Sequence, residues 1–235
     1  MKQTEFVQGK GFVAEISRTN RIKSATIKVE EGSVSVVVPL ELSQGRISKL
    51  LKDKSRWIKE KIILHRNAQP VSDKQYVSGE SFSYLGRNYR LKVNKGRYQP
   101  VVLSKGRFVV TVPNGADDVE MIRDALTSWY KSHAEIKFRE KIKRYAKMID
   151  VKYSSIGIKS YKSRWGSCST DGHIKFNWKV IMASNQIVDY VVVHELCHLK
   201  YHDHSPKFWK SVESITPDYV SCKEWLKDNG LFLVL

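Results

Sequence analysis

Val193-His194-Glu195-Leu196-Cys197-His198-Leu199-Lys200-Tyr201-His202-Asp203-His204, residues 193–204, hold four of the seven histidines in a chain of 235 residues. His194 and His198 are four apart, so on a helix they lie one above the other on one face, close enough for both rings to reach a single cation. Glu195 projects beside the pair, where a carboxylate can take the proton of a water polarised by that cation. The run ends an apolar stretch that contains Ile187, Val188, Val191, Val192, Val193, Leu196 and Leu199. That pattern predicts a helix beginning at Ser184 and buried on most sides.

Two imidazoles do not complete a site, and geometry narrows the choice of a third ligand. On a straight helix His202 would lie about 12 Å along the axis from His194, whereas ligands roughly 2.0 to 2.1 Å from one zinc sit within about 4 Å of each other. If the helix ends near Tyr201 and the chain turns back, His204 can fill the open position; His202 and a later carboxylate such as Glu213 are the rivals. The spacing His194-x3-His198-x5-His204 is that of the metzincin zinc signature, but Tyr201 stands where that signature has its turn-making Gly and no Met-turn is evident. The turn must be made another way. Cys197 lies between the two ligands and points off their face, which suits a packed, inert thiol.

Outward from this run the composition is that of a globular chain. Hydrophobic residues make up 41% and charged residues 28%, enough for a core, so collagenous, fibrous and disordered classes are excluded. No stretch of 18 apolar residues suggests a membrane span. The three cysteines, Cys168, Cys197 and Cys222, are too few for a disulfide framework. The N-terminal MKQTEFVQGKGFVAEISR lacks an apolar signal region, which makes the cytoplasm the expected compartment.

The first half reads as β-rich with one basic helix. Residues 5–16, 24–29, 33–40, 81–93 and 108–112 carry strand patterns, with turn chemistry at Glu31-Gly32, Gly86 and Gly96. Between them, residues 43–66 place Ile47, Leu50, Leu51, Trp57, Ile58 and Ile62 near helical spacing, with eight Lys/Arg among the polar positions. A dense turn signal at Pro113-Asn114-Gly115 precedes a helical stretch from Val119 to Ile149. We therefore expect a β-rich basic domain over 1–116 and a second domain over 117–235, in the α+β class. Within the second, strands are expected at 153–161 and 173–178. Ser205-Pro206 and Thr216-Pro217 read as helix starts, and Gly230 as a C-terminal cap. No internal repeat is apparent.

Several segments together carry a resemblance. HELCHLKYHDHSPKFW, preceded by SRWGSCS (Ser163 to Ser169) and IKFNWKV (Ile174 to Val180) and followed by Pro217-Asp218-Tyr219, resembles the YgjP-like metallopeptidase family of predicted metal-dependent hydrolases. The helix around Trp57-Ile58 and the strand YLGRNYRLKV at 84–93 extend the likeness over nearly the whole chain. The resemblance implies a zincin-like domain with an HExxH active-site helix, Zn²⁺ held by His194, His198 and His204, and Glu195 as catalytic acid/base in peptide or protein hydrolysis. The chain is more distantly similar to the SprT-like and WLM families, some of whose members process proteins attached to DNA. Family membership implies no particular substrate.

Other residues admit two readings. The SRWGSC segment is either a sheet edge that holds an extended peptide or a tight turn with Trp165 in the core. Arg164 and Tyr219 are candidates to stabilise the oxyanion formed when water attacks a carbonyl. Trp129, Tyr130, Trp178, Phe208 and Trp209 read as core.

The formal charge of +17 is uneven: residues 1–116 carry 22 Lys+Arg against 9 Asp+Glu, and the remainder 19 against 15. The basic helix is thus either a solvated face or a polyanion surface, and the alternative function is a nucleic-acid-associated protein, or a DNA-recruited protease, with a structural or secondary metal site. If charge recruits nucleic acid, binding is weak, independent of base sequence and steeply salt-sensitive, and reversing Lys52, Arg56 and Lys59 weakens it without altering metal content. A gel-shift titration checks this; no mobility change at micromolar protein and low salt removes the idea.

Overall fold

The computed structural model describes residues 5–20, 24–30, 33–67, 74–113 and 118–235. The chain is mixed α+β and divides into two compact units, Met1–Ser72 and Asp73–Leu235.

In the first unit, β1 (Glu5–Gly9), β2 (Phe12–Thr19), β3 (Thr26–Glu30) and β4 (Ser33–Pro39) form a sheet of order β1-β2-β4-β3. Alternation along β4 buries Val34, Val36 and Val38, and they share a core with Ile47, Leu51, Ile58 and Ile62. The single basic helix expected over 43–66 is two helices, α1 (Gln44–Asp53) and α2 (Ser55–Asn67), interrupted at Lys54. The apolar pattern conceals the break because Ile47 and Ile58 are eleven residues apart, close to three full turns, so both still face the sheet. Lys52, Arg56 and Lys59 lie on these helices, with Arg56 paired to Glu60 at 3.1 Å.

The second unit begins with β5 (Ser81–Tyr84), β6 (Arg87–Lys95), β7 (Gln99–Ser104) and β8 (Arg107–Val112), in the order β5-β6-β8-β7. Its pairing copies that of the first sheet: outer pairs antiparallel, central pair parallel. The repeat that the sequence reading missed is therefore real at the level of topology. It has a sequence trace: residues 27–39 and 101–113 align without a gap, matching Gly32 with Gly106 and Pro39 with Pro113. The registers agree, Val29 facing Val34 as Leu103 faces Phe108. Only alternation and turn positions are shared, and few identities, because a sheet face constrains burial more than residue type. The Glu31-Gly32 turn itself lies outside the described residues.

A 32-residue helix, α3 (Asp118–Ile149), follows. Its inward positions Ile122, Leu126, Tyr130, Ala134, Phe138 and Ile142 belong to the same core as Phe82, Leu91, Phe108, Val110 and Val112. The expected boundary near 116 falls between β8 and α3, two elements that share this core, whereas the compact units divide at 72/73. Charge and turn composition change near 116, but burial continues across it. Residues 114–117, which include Asn114-Gly115 of the turn signal, lie outside the described residues.

A third sheet, order β10-β11-β9, combines β9 (Ser155–Lys159), β10 (Gly166–Cys168) and β11 (His173–Asn177). Phe176 of β11 stacks on Phe138 of α3 with ring centroids 4.3 Å apart and planes 8° from parallel. After a short 3-10 turn, Trp178–Met182, comes α4 (Asn185–Cys197). Ser184 caps it as read, its hydroxyl accepting from the Ile187 N–H at 3.4 Å. Gly86 fits against this start: it has φ of +78°, and a Cβ there would lie 2.8 Å from Ser184 Cα. Asp189 on α4 is held by Lys141 of α3 at 2.7 Å.

Two final helices, α5 (Pro206–Ile215) and α6 (Tyr219–Asn229), close the chain, with Gly230 capping α6. Ser205-Pro206 starts α5 as read. Thr216, expected to start a helix, instead terminates α5 with φ −129° and ψ 83°, and Asp218 precedes α6. The residue before a proline is pushed to extended backbone, so Thr216 ends one helix and Pro217 delays the next.

Phe138 joins α3 to the sheet beside α4, so Phe138→Ala removes a fully buried ring and leaves a cavity. It is expected to cost about 3–5 kcal/mol in chemical denaturation. A loss under about 1 kcal/mol would show that this contact does not hold the layers together.

Candidate metal centre

The last turn of α4 carries His194 and Glu195, and His198 caps its C-terminus. The chain leaves the helix through tightened turns, the Leu199 N–H donating to the Leu196 carbonyl and the Lys200 and Tyr201 N–H groups to Cys197. Tyr201 keeps a negative φ. The reversal that a left-handed glycine would supply is made instead by these turns and by the His198 Nδ1–H, which donates to the Tyr201 carbonyl at 3.0 Å. Pro206 then begins α5, with His204 in the short link before it.

This path brings three ring nitrogens together. His194 Nε2 lies 3.3 Å from His198 Nε2 and 3.2 Å from His204 Nε2. Tetrahedral ligands 2.0–2.1 Å from one zinc stand about 3.3 Å apart, so the donor set fits such an ion. Among the described residues these three histidines are the one group of His, Cys, Asp and Glu that could hold a metal. His202 and Glu213 are exposed and outside it. Donation from His198 Nδ1 leaves that ring's Nε2 unprotonated and facing its neighbours.

Electrostatics favour the neutral, ligating form. Burial pushes His194 down to about 3, and His198, His204 and Lys223 add to the effect. Burial also lowers His198, against the raising effect of the Tyr201 carbonyl. His194 Nδ1 is buried with no hydrogen-bond partner, unlike the usual ligating histidine, whose second nitrogen is tied to a carbonyl or carboxylate. Aromatic packing orients this ring instead. Phe208 meets His194 edge-on at 5.0 Å and stacks on His198 at 4.5 Å, and Tyr190 packs one turn earlier on α4, 5.8 Å from His194.

Glu195 is buried beside the cluster, and burial raises its carboxyl to about 8, with Arg164 pulling it down. Gly166 makes that placement possible: a Cβ at 166 would lie 2.5 Å from Glu195 Oε1 and 2.6 Å from Cγ. The edge strand β10 thus runs directly against the carboxylate, its inner side paired with β11. SRWGSC therefore contains a sheet edge, while Trp165 is half-buried and packs against the core. Cys168, also on β10, is pushed up to about 11 by burial and then by Glu195. Cys197 is buried, with its sulfur 3.4 Å from Ser211 Oγ.

Of the other expected residues, Arg164 lies two positions before Gly166 with its guanidinium 5.6 Å from the Tyr161 ring. Tyr219 reaches the cluster through Trp209: its ring stacks on Trp209 at 5.1 Å, and Trp209 stacks on His204 at 5.5 Å. Trp209, read from sequence as core, is half-buried beside the histidines. Lys223, which the sequence reading passed over, places its Nζ 4.6 Å from the Trp209 ring centroid. The signal for it was the i, i+4 spacing of Tyr219 and Lys223, invisible until α5 and α6 are brought together. Lys52, Arg56 and Lys59 belong to the first unit. No described helix is long and apolar enough to cross a membrane.

Comparison with known proteins agrees with the resemblance read from the sequence. No curated protein matches the chain. Two solved metallopeptidase zymogens are similar to part of it: abylysin of Pyrococcus abyssi, 24% identical over 37% of this chain and 86% of that one with a TM-score of 0.34, and jannalysin of Methanocaldococcus jannaschii, 21% identical over 38% and 95% with a TM-score of 0.34. The YgjP-like metallopeptidase domain matches residues 23–229, across both compact units. On that match the chain belongs to the YgjP-like metallopeptidase family.

Proposed function

We propose that the chain is a zinc-dependent metallopeptidase, with His194, His198 and His204 as ligands and Glu195 as general base and acid. The observation that carries this reading is the convergence of three imidazole nitrogens, those of His198 and His204 lying 3.3 and 3.2 Å from His194 Nε2, beside a buried carboxylate. Bound there, Zn²⁺ supplies Lewis-acid polarisation of the substrate carbonyl and of the attacking water. Glu195 takes the proton from that water and delivers it to the amine nitrogen of the leaving peptide. The free edge of β10 pairs with an extended substrate by main-chain hydrogen bonds, which holds the scissile carbonyl near the carboxylate. Arg164, whose charge acts on Glu195, and Tyr219 are the candidate donors for the developing oxyanion.

The other reading, a structural metal site in a nucleic-acid-associated protein, needs a closed shell. No fourth His, Cys, Asp or Glu among the described residues joins the three histidines. A structural site would also have no use for a carboxylate buried beside it.

Three outcomes test the proposal. Wild-type protein should carry close to one zinc per chain by elemental analysis, and His194→Ala or His198→Ala should lose it; a wild type unable to bind added zinc would sink the proposal. Glu195→Gln should keep the zinc and lose about 10²–10⁴-fold in turnover of an unstructured protein such as casein. Gly166→Ala should also keep its zinc yet lose about 10²-fold, because its methyl displaces the Glu195 carboxylate. Undiminished turnover in Gly166→Ala would separate the edge strand from the chemistry.

A further inference from the structure

We propose that Lys223 is the specificity residue of this site and that it binds a carboxylate of the peptide substrate close to the scissile bond. The inference rests on the metallopeptidase reading above and adds a substrate class to it.

The argument begins with the tier His204, Trp209 and Tyr219, whose rings stack in sequence at 5.5 and 5.1 Å with planes 23° and 18° apart. Lys223 follows Tyr219 by one turn of α6, so its stem rises on the same face and its Nζ sits 4.6 Å from the Trp209 centroid. A ring face attracts an ammonium through its quadrupole and accepts no conventional hydrogen bond, so the three N–H donors of Lys223 stay available. Lys223 has no carboxylate partner among the described residues, whereas Lys141, Lys74 and Lys137 each have one.

A cation fixed by a ring, lacking an anion and lying one aromatic residue from the metal ligands suits a charge-assisted bond to a substrate carboxylate. Two sources carry that group, the side chain of Asp or Glu and the C-terminal carboxylate.

The test uses the full-length, zinc-loaded Glu195→Gln protein, so that binding is measured without turnover. The probes are degenerate octapeptide mixtures capped at both ends, with Glu or Gln fixed at each position in turn, and a neutral mixture with a free C-terminus, titrated calorimetrically. We expect about tenfold tighter binding for Glu at one position or for the free C-terminus, and these two arms separate the sources. Adding Lys223→Gln should bring the ratio to about one with zinc content unchanged, and Lys223→Arg should retain it. Equal binding of all mixtures, no binding, or a preference that survives Lys223→Gln overturns the proposal. Zinc content and casein turnover of the wild type judge the metallopeptidase reading separately: an inactive wild type that still shows the Lys223-dependent preference would remove that reading and keep the carboxylate site.

Discussion

Three imidazole rings that bring two Nε2 atoms to 3.3 and 3.2 Å from that of His194 set the terms for everything around them. Where nitrogens this close both present lone pairs they repel, and a cation held between them removes the repulsion. The surroundings must therefore hold the rings in place. Burial keeps His194 neutral, the Tyr201 carbonyl fixes the tautomer of His198, and Phe208 packs against both. Each restraint comes from a different segment, which explains why the centre sits where α4, the following loop and α5 meet.

The carboxylate is governed by a second close approach. Glu195 is buried because β10 passes over it, and β10 can do so only because residue 166 has no side chain. One glycine thus couples the position of the catalytic candidate to a sheet edge. The same packing desolvates Glu195 and raises its carboxyl to about 8, which makes a nearby cation the natural means of keeping it ionised.

The chain uses one sheet topology twice. The arrangement β1-β2-β4-β3 recurs as β5-β6-β8-β7, each followed by helices that share its core. The second copy was extended: α3 runs on past its sheet to Phe138 and Ile149, and there it supports β11 and α4. The basic surplus is shared by the two sheet-bearing segments, 14 Lys+Arg against 7 Asp+Glu over residues 1–72 and 8 against 2 over residues 73–116. The family match begins at residue 23, so it takes in β3, β4, α1 and α2 of the first copy and all four strands of the second.

By itself the sequence determined what depends on local spacing and chemistry. The four-residue interval of His194 and His198, the return of His204, the Ser184 cap and the alternation in β4 and β8 were all legible, since helix and strand periods are fixed by the backbone. The unbroken helix over 43–66, the boundary near 116 and a helix start at Thr216 were misread. The apolar period of 43–66 runs on through the break at Lys54, composition changes near 116 while burial continues, and Pro217 holds Thr216 in extended backbone. Contacts between distant segments belonged to the tertiary structure alone: Gly166 against Glu195, Trp209 between His204 and Tyr219, and Lys223 over Trp209. No periodicity encodes them, because each depends on where two elements far apart in the chain are packed together. The repeat lay between these cases, written in the alignment of residues 27–39 with 101–113 but recognisable only once both sheets had shown the same pairing.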